Sequence, residues 1–272
     1  MFILTFDIEE WYRNDFPGND PQKWSDYDDR IELEIPLALE LLKKYKQRAT
    51  FFVLGVVARN HPVLIKKIAR AGHELASHGM YHRKVSQLSR KEFHADAQES
   101  RILLQSLTKQ QVVGFRAPYW SVTTTHPSWY YQELLACGYK YSSSIFPVNL
   151  TYYGDNQAPT QITTISIGKK SITEIPASCY QLGVLKIPVA AGVFLRYYPL
   201  AITHWLIKKI TCRSHVMVVF HNWELDPYHP KLPIAPLYYF GHYGFLKSGV
   251  NKLEKILQTY RFSSIQTYLT AK

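Results

Sequence analysis

The feature of this sequence that most constrains its fold is a repeated alternation between short apolar runs and longer stretches of helical periodicity. The apolar runs are rich in β-branched and aromatic residues, which favour buried strands. The stretches between them place apolar side chains at helical spacing, as in residues 32–46 with Leu33, Leu37, Leu41 and Leu42. This alternation is typical of βα units wound around a parallel sheet.

Six apolar runs are predicted to be strands and six periodic segments to be helices. The strands are residues 2–6, 49–54, 74–77, 112–115, 140–145 and 215–221. The helices are residues 32–46, 62–71, 89–107, 128–136, 199–210 and 248–260. Ser89 and Glu92 form a capping box at the start of the third helix. Residues 161–178 alternate Thr, Ile and Ser around Gly168 and Lys169, which predicts a β-hairpin.

This number of units in 272 residues suits an α/β fold, specifically an irregular or incomplete (β/α) barrel, better than a small open sheet. The predicted hairpin is then a small insertion on the main scaffold. No internal repeat, low-complexity run or linker divides the chain, so residues 1–272 are predicted to form one domain. Chemistry in such barrels lies at the carboxyl ends of strands, so catalytic side chains should follow strands.

The formal net charge of +11 raises the question of a nucleic-acid partner, because clustered basic residues attract phosphates. The basic residues instead occur in scattered pairs near the ends of predicted helices, where cations are favoured by the helix dipole. These pairs are Lys43-Lys44, Lys66-Lys67 and Lys208-Lys209. With no recognised nucleic-acid-binding motif either, we expect no nucleic-acid partner.

The sequence predicts a soluble, cytoplasmic protein. Residues 1–6 are too short an apolar run for a signal peptide and lack a basic leader. The apolar stretch 184–207 is interrupted by Lys186, Arg196 and two prolines, which argues against a membrane span. Cys137, Cys179 and Cys212 lie far apart and are odd in number, so we expect neither a disulfide framework nor a thiolate metal site.

Two carboxylates follow the first predicted strand. Asp7 and Glu9 are two residues apart, so an extended backbone places both on one side of the strand. Two carboxylates on one face repel each other unless a cation lies between them or one of them takes a proton, as a general base must. Taken alone, a polar residue at a strand end is common and weakly diagnostic.

His78 and His82 follow the third predicted strand at a spacing of four residues. One helical turn would align their imidazoles on a single metal ion. The competing interpretation is two incidental polar residues in a loop, and the position directly after a strand favours metal binding.

Two further strand ends carry titratable groups. Arg116 lies beside Tyr119 and Trp120, where it could orient a catalytic carboxylate or cap a structural turn. His221 precedes Trp223 and two carboxylates, and it could be a general acid or a structural histidine. Four such clusters at four strand ends are hard to attribute to chance.

With these motifs in place, the sequence resembles the polysaccharide deacetylase family (NodB-homology, carbohydrate esterase family 4), most closely the subgroup associated with bacterial exopolysaccharide export. The resemblance covers nearly the whole chain. It rests on the four clusters and on the runs ATFFVLG (49–55), AGHELASH (71–78), YSSSIFP (141–147), EIP (174–176) and HNWELDP (221–227). It implies an irregular (β/α) barrel of the NodB-homology type.

The resemblance also implies roles for six residues. Asp7 corresponds to the catalytic base, Arg116 to the residue that orients it, and His221 to the catalytic acid. The implied metal ligands are Glu9, His78 and His82, and the implied cofactor is a divalent metal, zinc by expectation.

The chain departs from the family pattern at three points. The adjacent aspartates of the family's first motif are here Asp7 and Glu9, so Glu10 remains an alternative ligand. Gly79 stands where the family commonly has Ser or Thr. The acidic partner of the catalytic histidine is not evident, and Glu174 and Asp226 are the candidates.

The implied function is a metal-dependent hydrolase that removes N-acetyl groups from amino sugars of a polysaccharide or its lipid-linked precursor. One alternative is an amidase for a small amide or cyclic ureide, and another is an inactive polysaccharide-binding scaffold. An N-acetylated polysaccharide or oligosaccharide is the expected partner. The positive net charge suggests peripheral contact with an anionic inner membrane face.

Overall fold

The structure is a computed structural model that describes residues 1–150, 153–212 and 214–271. Strands and helices alternate along most of the chain, as predicted. The strands are β1 (Phe2–Ile8), β2 (Thr50–Val53), β3 (Glu74–Ser77), β4 (Gly114–Phe115), β5 (Tyr141–Ser142), β6 (Thr163–Ile167), β7 (Lys170–Glu174), β8 (Cys179–Leu182), β9 (Leu185–Pro188), β10 (Met217–His221) and β11 (Phe262–Ser263).

The helices lie mainly between the strands. They are α1 (Ile31–Lys44), α2 (Gly55–Asn60), α3 (Pro62–Arg70), α4 (Arg90–Thr108), α5 (Tyr130–Ala136), α6 (Val193–Tyr197), α7 (Leu200–Thr211), α8 (Pro236–Tyr243), α9 (Leu246–Thr259) and α10 (Ile265–Thr270). Short 3-10 helices cover Pro21–Asp26, Val85–Gln87, Pro118–Trp120 and Asn222–Leu225. The capping box of Ser89 and Glu92 precedes α4 as predicted.

The main sheet is mostly parallel, with strand order β10-β1-β2-β3-β4-β5-β7-β6 and β11 also paired to β1. It curls into part of a barrel, and within the described ranges no pairing joins β6 to β10 to close it. Strand β1 lies at the centre of the core, with Ile3, Leu4, Phe6 and Ile8 fully buried. A continuous apolar run is expected for a parallel strand that is covered on both faces.

The predicted hairpin forms, and it is hydrogen-bonded to the main sheet. Strands β6 and β7 pair antiparallel, and β7 also pairs in parallel with β5, so the hairpin extends the edge of the main sheet. Turn chemistry predicts a hairpin locally, whereas its pairing with β5 depends on long-range contacts.

Two other details differ from the prediction. The buried face of α1 is formed by Ile31, Ile35, Ala38 and Leu42, whereas Leu33 is exposed. The apolar stretch 184–207 is divided among β9, α6 and α7, and β8 and β9 form a second hairpin that was not predicted.

Two further observations concern the described residues. Within the described ranges, none of the helices combines the length and apolar character needed to cross a bilayer. Cys137, Cys179 and Cys212 are free thiols.

Candidate metal centre and active site

The six predicted site residues lie at one edge of the main sheet, where parallel strands β1, β3, β4 and β10 end. Asp7 is paired in register with His221 on the neighbouring strand. A cavity of about 280 Å³ opens at this edge. Five of the six residues line it: Asp7, Glu9, His78, His82 and His221.

Glu9, His78 and His82 form a cluster of three metal-ligand donors. One donor atom from each residue lies within 4.8 Å of the other two. The Glu9 Oε2 atom is 2.7 Å from His82 Nε2 and 3.7 Å from His78 Nε2. Within the described part of the chain, this is the one group of three or more such residues found.

The orientation of the two imidazoles fits metal binding. The Nδ1–H group of His78 donates to the carbonyl oxygen of Arg116 at 2.9 Å, and that of His82 donates to the carbonyl oxygen of Arg13 at 2.8 Å. A carbonyl only accepts, so Nδ1 of each ring carries a proton, and Nε2 is the ring atom that could bind a metal. Metal-binding histidines are commonly held in this way.

Glu9 is held as an ionised carboxylate. Burial acts to raise its pKa, but the nearby imidazoles of His82, His78 and His221 outweigh burial, and the net pKa lies well below its usual value. Its second oxygen, Oε1, accepts a hydrogen bond from the Trp223 indole at 3.1 Å. The donor set of two imidazole nitrogens and one carboxylate oxygen suits a divalent ion such as zinc.

The backbone around Glu9 is also anchored. The Asn222 side chain accepts from the Glu9 N–H at 2.8 Å and donates to the Glu9 carbonyl at 2.9 Å. Glu10 points elsewhere, because its carboxylate pairs with Arg13 at 2.8 Å. Geometry therefore favours Glu9 over Glu10 as the ligand.

Arg116 and Asp7 form a buried ion pair. The Arg116 Nη1 atom donates to Asp7 Oδ1 at 2.5 Å and to the hydroxyl of Thr5 at 3.0 Å. The rest of the guanidinium donates to the carbonyl and hydroxyl oxygens of Ser143. Burial lowers the pKa of Arg116, and the Asp7 carboxylate partly offsets this effect. The Asp7 carboxylate is thus fixed in place while its Oδ2 faces His221.

His221 is part of a linear arrangement with Glu224 and Arg196. The Nδ1–H group of His221 donates to Glu224 Oε1 at 2.8 Å, and Arg196 Nε lies 2.8 Å from Glu224 Oε2. The opposite nitrogen, Nε2, faces the cavity, 4.0 Å from Asp7 Oδ2 and 3.9 Å from Glu9 Oε1.

The expectation that Glu174 or Asp226 is the acidic partner of His221 is wrong. Glu174 accepts from the backbone N–H groups of Ser144 and Ile145, and Asp226 pairs with Arg30. Glu224, three residues after His221, takes this position within the 3-10 helix.

The charge around His221 favours its protonated form. Burial acts to lower its pKa, but the hydrogen bond to Glu224 and the negative charges of Glu9 and Asp7 outweigh burial and raise the pKa to about 9. Glu224 stays ionised, because Arg196 and His221 lower its pKa against the effect of burial.

The expected helical turn between the two metal-site histidines is absent; residues 78–82 form a loop. Gly79 has φ of +79°, and a Cβ atom there would lie 2.8 Å from Asp96 Oδ2. Asp96 accepts from the N–H of Met80 at 2.6 Å, and the Ser77 hydroxyl accepts from the N–H of Gly79 at 3.1 Å. These hydrogen bonds brace the loop, and the positive φ together with the close approach of Asp96 favours glycine at position 79.

Four aromatic residues near the motifs line the cavity: Trp11, Tyr119, Trp120 and Trp223. The three tryptophans are buried in packing roles. The Trp120 ring covers the Arg116 guanidinium at 4.7 Å, and the Trp223 ring stacks on His221 at 4.9 Å. Tyr119 is the more accessible ring of this set.

Sequence reasoning missed three residues of this site: Glu224, Arg196 and Asn222. Glu224 had a weak signal in its spacing from His221. Arg196 is a charged residue inside an apolar stretch, which is itself a sign of a buried partner. Asn222 had no signal, since its contact with Glu9 spans 213 positions.

Two family models match adjacent segments of this chain. Residues 18–142 match the model described as polysaccharide deacetylase, and residues 143–270 match a domain of unknown function, DUF3473. The first segment contains His78, His82 and Arg116. The second contains His221 and Glu224, so the candidate site combines residues of both.

Curated relatives are similar to parts of the chain. A peptidoglycan-N-acetylglucosamine deacetylase of Bacillus cereus is 32% identical over 83 residues, 30% of this chain and 38% of the relative. A chitooligosaccharide deacetylase of Sinorhizobium fredii is 35% identical over 89 residues, 32% of this chain and 41% of the relative. The chain thus spans about two fifths of the length of these relatives.

A solved structure is similar over almost the entire chain. It is that of a candidate polysaccharide deacetylase from Mycobacterium smegmatis, with a TM-score of 0.66 and 17% identity, and the alignment covers 99% of this chain and 88% of that one. The likeness confirms the predicted fold class.

Proposed function

Because this chain carries a polysaccharide deacetylase domain of the NodB-homology type, we propose that it is a metal-dependent hydrolase that removes N-acetyl groups from amino sugars. One observation supports this proposal above the others. The cluster of Glu9, His78 and His82 shares a cavity with Asp7 and His221, whose facing atoms are 4.0 Å apart.

Glu9, His78 and His82 would hold the metal, which we propose to be zinc. A bound divalent ion supplies Lewis-acid polarisation of the acetyl carbonyl. The backbone carbonyls behind His78 and His82 keep both Nε2 atoms directed toward the Glu9 carboxylate, where the ion would bind. Trp223 and Asn222 hold the carboxylate and backbone of Glu9 in position.

Asp7 is proposed as the general base. Its Oδ1 atom is occupied by Arg116, so Oδ2 is the atom that takes a proton from the attacking water. Because the Arg116 guanidinium is buried and held by four oxygen atoms, it fixes the carboxylate rather than moving with it.

His221 is proposed as the general acid. Its protonated form is favoured by Glu224, and its Nε2–H group faces the same space as Asp7. It would give a proton to the departing amine nitrogen, which converts a poor leaving group into a neutral amine. Arg196 holds Glu224 from behind and keeps the imidazole oriented.

The proposed substrate is an N-acetylated polysaccharide or oligosaccharide. The two relatives are named for peptidoglycan N-acetylglucosamine and for chitooligosaccharide, and we extend that class to this chain. An exopolysaccharide or its lipid-linked precursor as the polymer, a cytoplasmic location and a single domain over residues 1–272 also stay proposals.

The experiment that tests this function is acetate release from N-acetylglucosamine oligomers by the purified chain, with and without added zinc. We expect zinc-dependent release that Asp7→Asn abolishes while the metal content stays near that of the wild type. Loss of metal in Asp7→Asn would contradict the proposal that Asp7 acts as the base without binding the metal.

The same experiment distinguishes the alternatives. A bound metal without acetate release would point to another amide, such as a cyclic ureide. Neither release nor metal binding would favour an inactive polysaccharide-binding scaffold.

A further inference from the structure

An exposed apolar surface lies on the outer side of the fold, away from the cavity. We call it the hairpin–helix surface. It consists of side chains from the turn between β8 and β9 and from the outer face of α7: Leu182, Val184, Leu185, Ile202 and Trp205. Val184 is 95% exposed, and the other four are 46–58% exposed. None of them lines the cavity.

The two parts of this surface are continuous. Leu182 and Leu185 are direct cross-strand partners, and Tyr180 lies two residues before Leu182 on the same side of β8. The Tyr180 ring contacts the Trp205 ring edge-on at 5.6 Å, which joins the hairpin to α7. Single exposed apolar residues are common, but a joined cluster of five indicates an interaction surface.

The segment that carries this surface contains no acidic residue. No Asp or Glu occurs between Ile175 and Trp223 in the sequence, whereas this segment contains five Lys or Arg residues, of which Arg196 is buried. Lys208 and Lys209 form the last turn of α7, and Lys209 Nζ lies 5.8 Å from the Trp205 ring. In the described part of the chain, neither lysine takes part in an ion pair.

We propose that the hairpin–helix surface binds the anionic face of a lipid bilayer. Aliphatic side chains at a protruding turn can enter the boundary between head groups and acyl chains, while a tryptophan and lysines beside them favour that boundary. Each lysine near the membrane adds attraction to anionic lipids. Gly183 lies at the turn with φ of +59°. Apart from its chain neighbours, no atom lies within 4 Å of the position that a Cβ atom would take there, so the tip of the turn is free to insert.

A second copy of the chain fits this surface less well. In a twofold dimer, the same patch meets itself, so Lys208 and Lys209 of both copies would be brought together without an acidic partner from this segment. A bilayer with acidic head groups supplies the missing negative charge.

Docking through this surface leaves the cavity open. The Val189 N–H donates to the carbonyl of Ser178, whose hydroxyl accepts from the N–H of Met217 at the start of β10. The segment that follows β9 runs parallel to β10, with Ala191 beside Val219. Strands β8 and β9 therefore extend from the Met217 end of β10 away from the end that carries His221. The turn therefore lies toward the opposite edge of the sheet, and the proposal does not depend on the deacetylase activity.

The test is co-sedimentation of the full chain with vesicles of phosphatidylcholine alone or mixed with phosphatidylglycerol. We expect binding to the mixed vesicles that falls as salt rises, and weak binding to phosphatidylcholine. Val184→Asp should weaken binding by about tenfold or more, because it places a carboxylate where an apolar group enters the boundary. Lys208→Gln with Lys209→Gln should remove most of the preference for phosphatidylglycerol.

Val184 is almost fully exposed, so its substitution cannot disturb the core. The matched control is Val63→Asp, at an exposed valine (63%) on α3 outside this surface. Acetate release from soluble oligomers should be the same for Val184→Asp and the wild type, if the chain is a deacetylase.

Three results would overturn the proposal. The first is no binding of the wild type to phosphatidylglycerol vesicles at low salt. The second is an equal loss in Val63→Asp and Val184→Asp. The third is a concentration-dependent dimer that Val184→Asp dissociates while vesicle binding is absent, which would assign the surface to a second copy.

Discussion

At the scale of single residues, each site side chain has one polar atom hydrogen-bonded to the surrounding protein. That hydrogen bond determines which other atom of the side chain faces the cavity. Backbone carbonyls accept hydrogen bonds from the Nδ1–H groups of His78 and His82. Arg116 donates to one oxygen of Asp7, and Glu224 accepts from the Nδ1–H group of His221. Each group is left with one free atom that faces the cavity, and rigid placement of this kind is what catalysis requires.

The first residue-scale prediction separates Glu9 from Glu10. Glu9→Gln should weaken zinc binding by at least about 100-fold, since it removes a charged ligand. Glu10→Gln should leave zinc affinity nearly unchanged, because Glu10 pairs with Arg13. Isothermal titration calorimetry measures both. Equal loss in the two variants would contradict the assignment of Glu9 as the ligand.

The second residue-scale prediction concerns Glu224. Glu224→Gln removes the negative charge that favours protonated His221, so kcat should fall by about 100-fold or more, as expected for an impaired general acid. Zinc content should stay near the wild-type value, since Glu224 does not contact the three ligands directly. Unchanged kcat in a folded, zinc-loaded variant would mean that His221 is not the acid.

At the scale of elements, α1 is tied to the end of β10 through one buried contact. The Asn222 side chain, which anchors the Glu9 backbone, also donates to the carboxyl group of Glu34 on α1. Glu34 is fully buried. Helix α1 thus supports the candidate metal ligand indirectly, through a polar group in an otherwise apolar face.

This contact predicts how stability depends on pH. Burial raises the pKa of Glu34 to about 8, despite the hydrogen bond from Asn222. The pKa of a glutamate in the unfolded chain is about 4.3. Between these values the folded chain binds more protons, so the Glu34 contribution to stability falls as pH rises from about 4.3 toward 8. Glu34→Gln removes this dependence.

The measurement is the difference in Tm between Glu34→Gln and the wild type, which should become more positive from about pH 5 to about pH 8 by about 4 °C or more. Glu40→Gln, at an exposed glutamate on the same helix, is the matched control and should show no such trend. A pH-independent difference for Glu34→Gln would contradict a buried, protonated Glu34.

At the scale of the whole molecule, one sheet contains strands from both segments that match separate family models. Strand β1, which precedes both matched segments, pairs with β2 of the first segment on one side and with β10 of the second segment on the other. The cavity is likewise lined in part by His221 and Trp223 from the second segment. This arrangement supports the prediction of one domain over residues 1–272.

The corresponding test is a fragment that ends at residue 142. We expect it to lack a cooperative thermal transition, because β1 would lose its partner β10 and expose an unpaired strand edge. Circular dichroism melting measures this, with the full chain as the control. A cooperative transition together with zinc binding in the fragment would contradict a single domain.

Much of the fold was predictable because its signals are local. Helical periodicity and strand composition depend on neighbouring residues, and they located β3 at its observed bounds and the capping box of α4. The position of Asp7, His78, Arg116 and His221 after apolar runs also placed them at one sheet edge, because the carboxyl ends of parallel strands meet there.

The α/β class, the main strands and the catalytic and metal-binding candidates could therefore be predicted from sequence patterns alone. Three features became visible only in the folded chain: the pairing of the β6–β7 hairpin with β5, the contact of Glu224 with His221, and the anchoring of Glu9 by Asn222. The β7–β5 and Asn222–Glu9 contacts join residues far apart in sequence, and such residues leave no periodic pattern that would reveal them. Glu224 is only three residues from His221, but its contact depends on the 3-10 turn that the backbone makes at residues 222–225, which the sequence pattern did not predict.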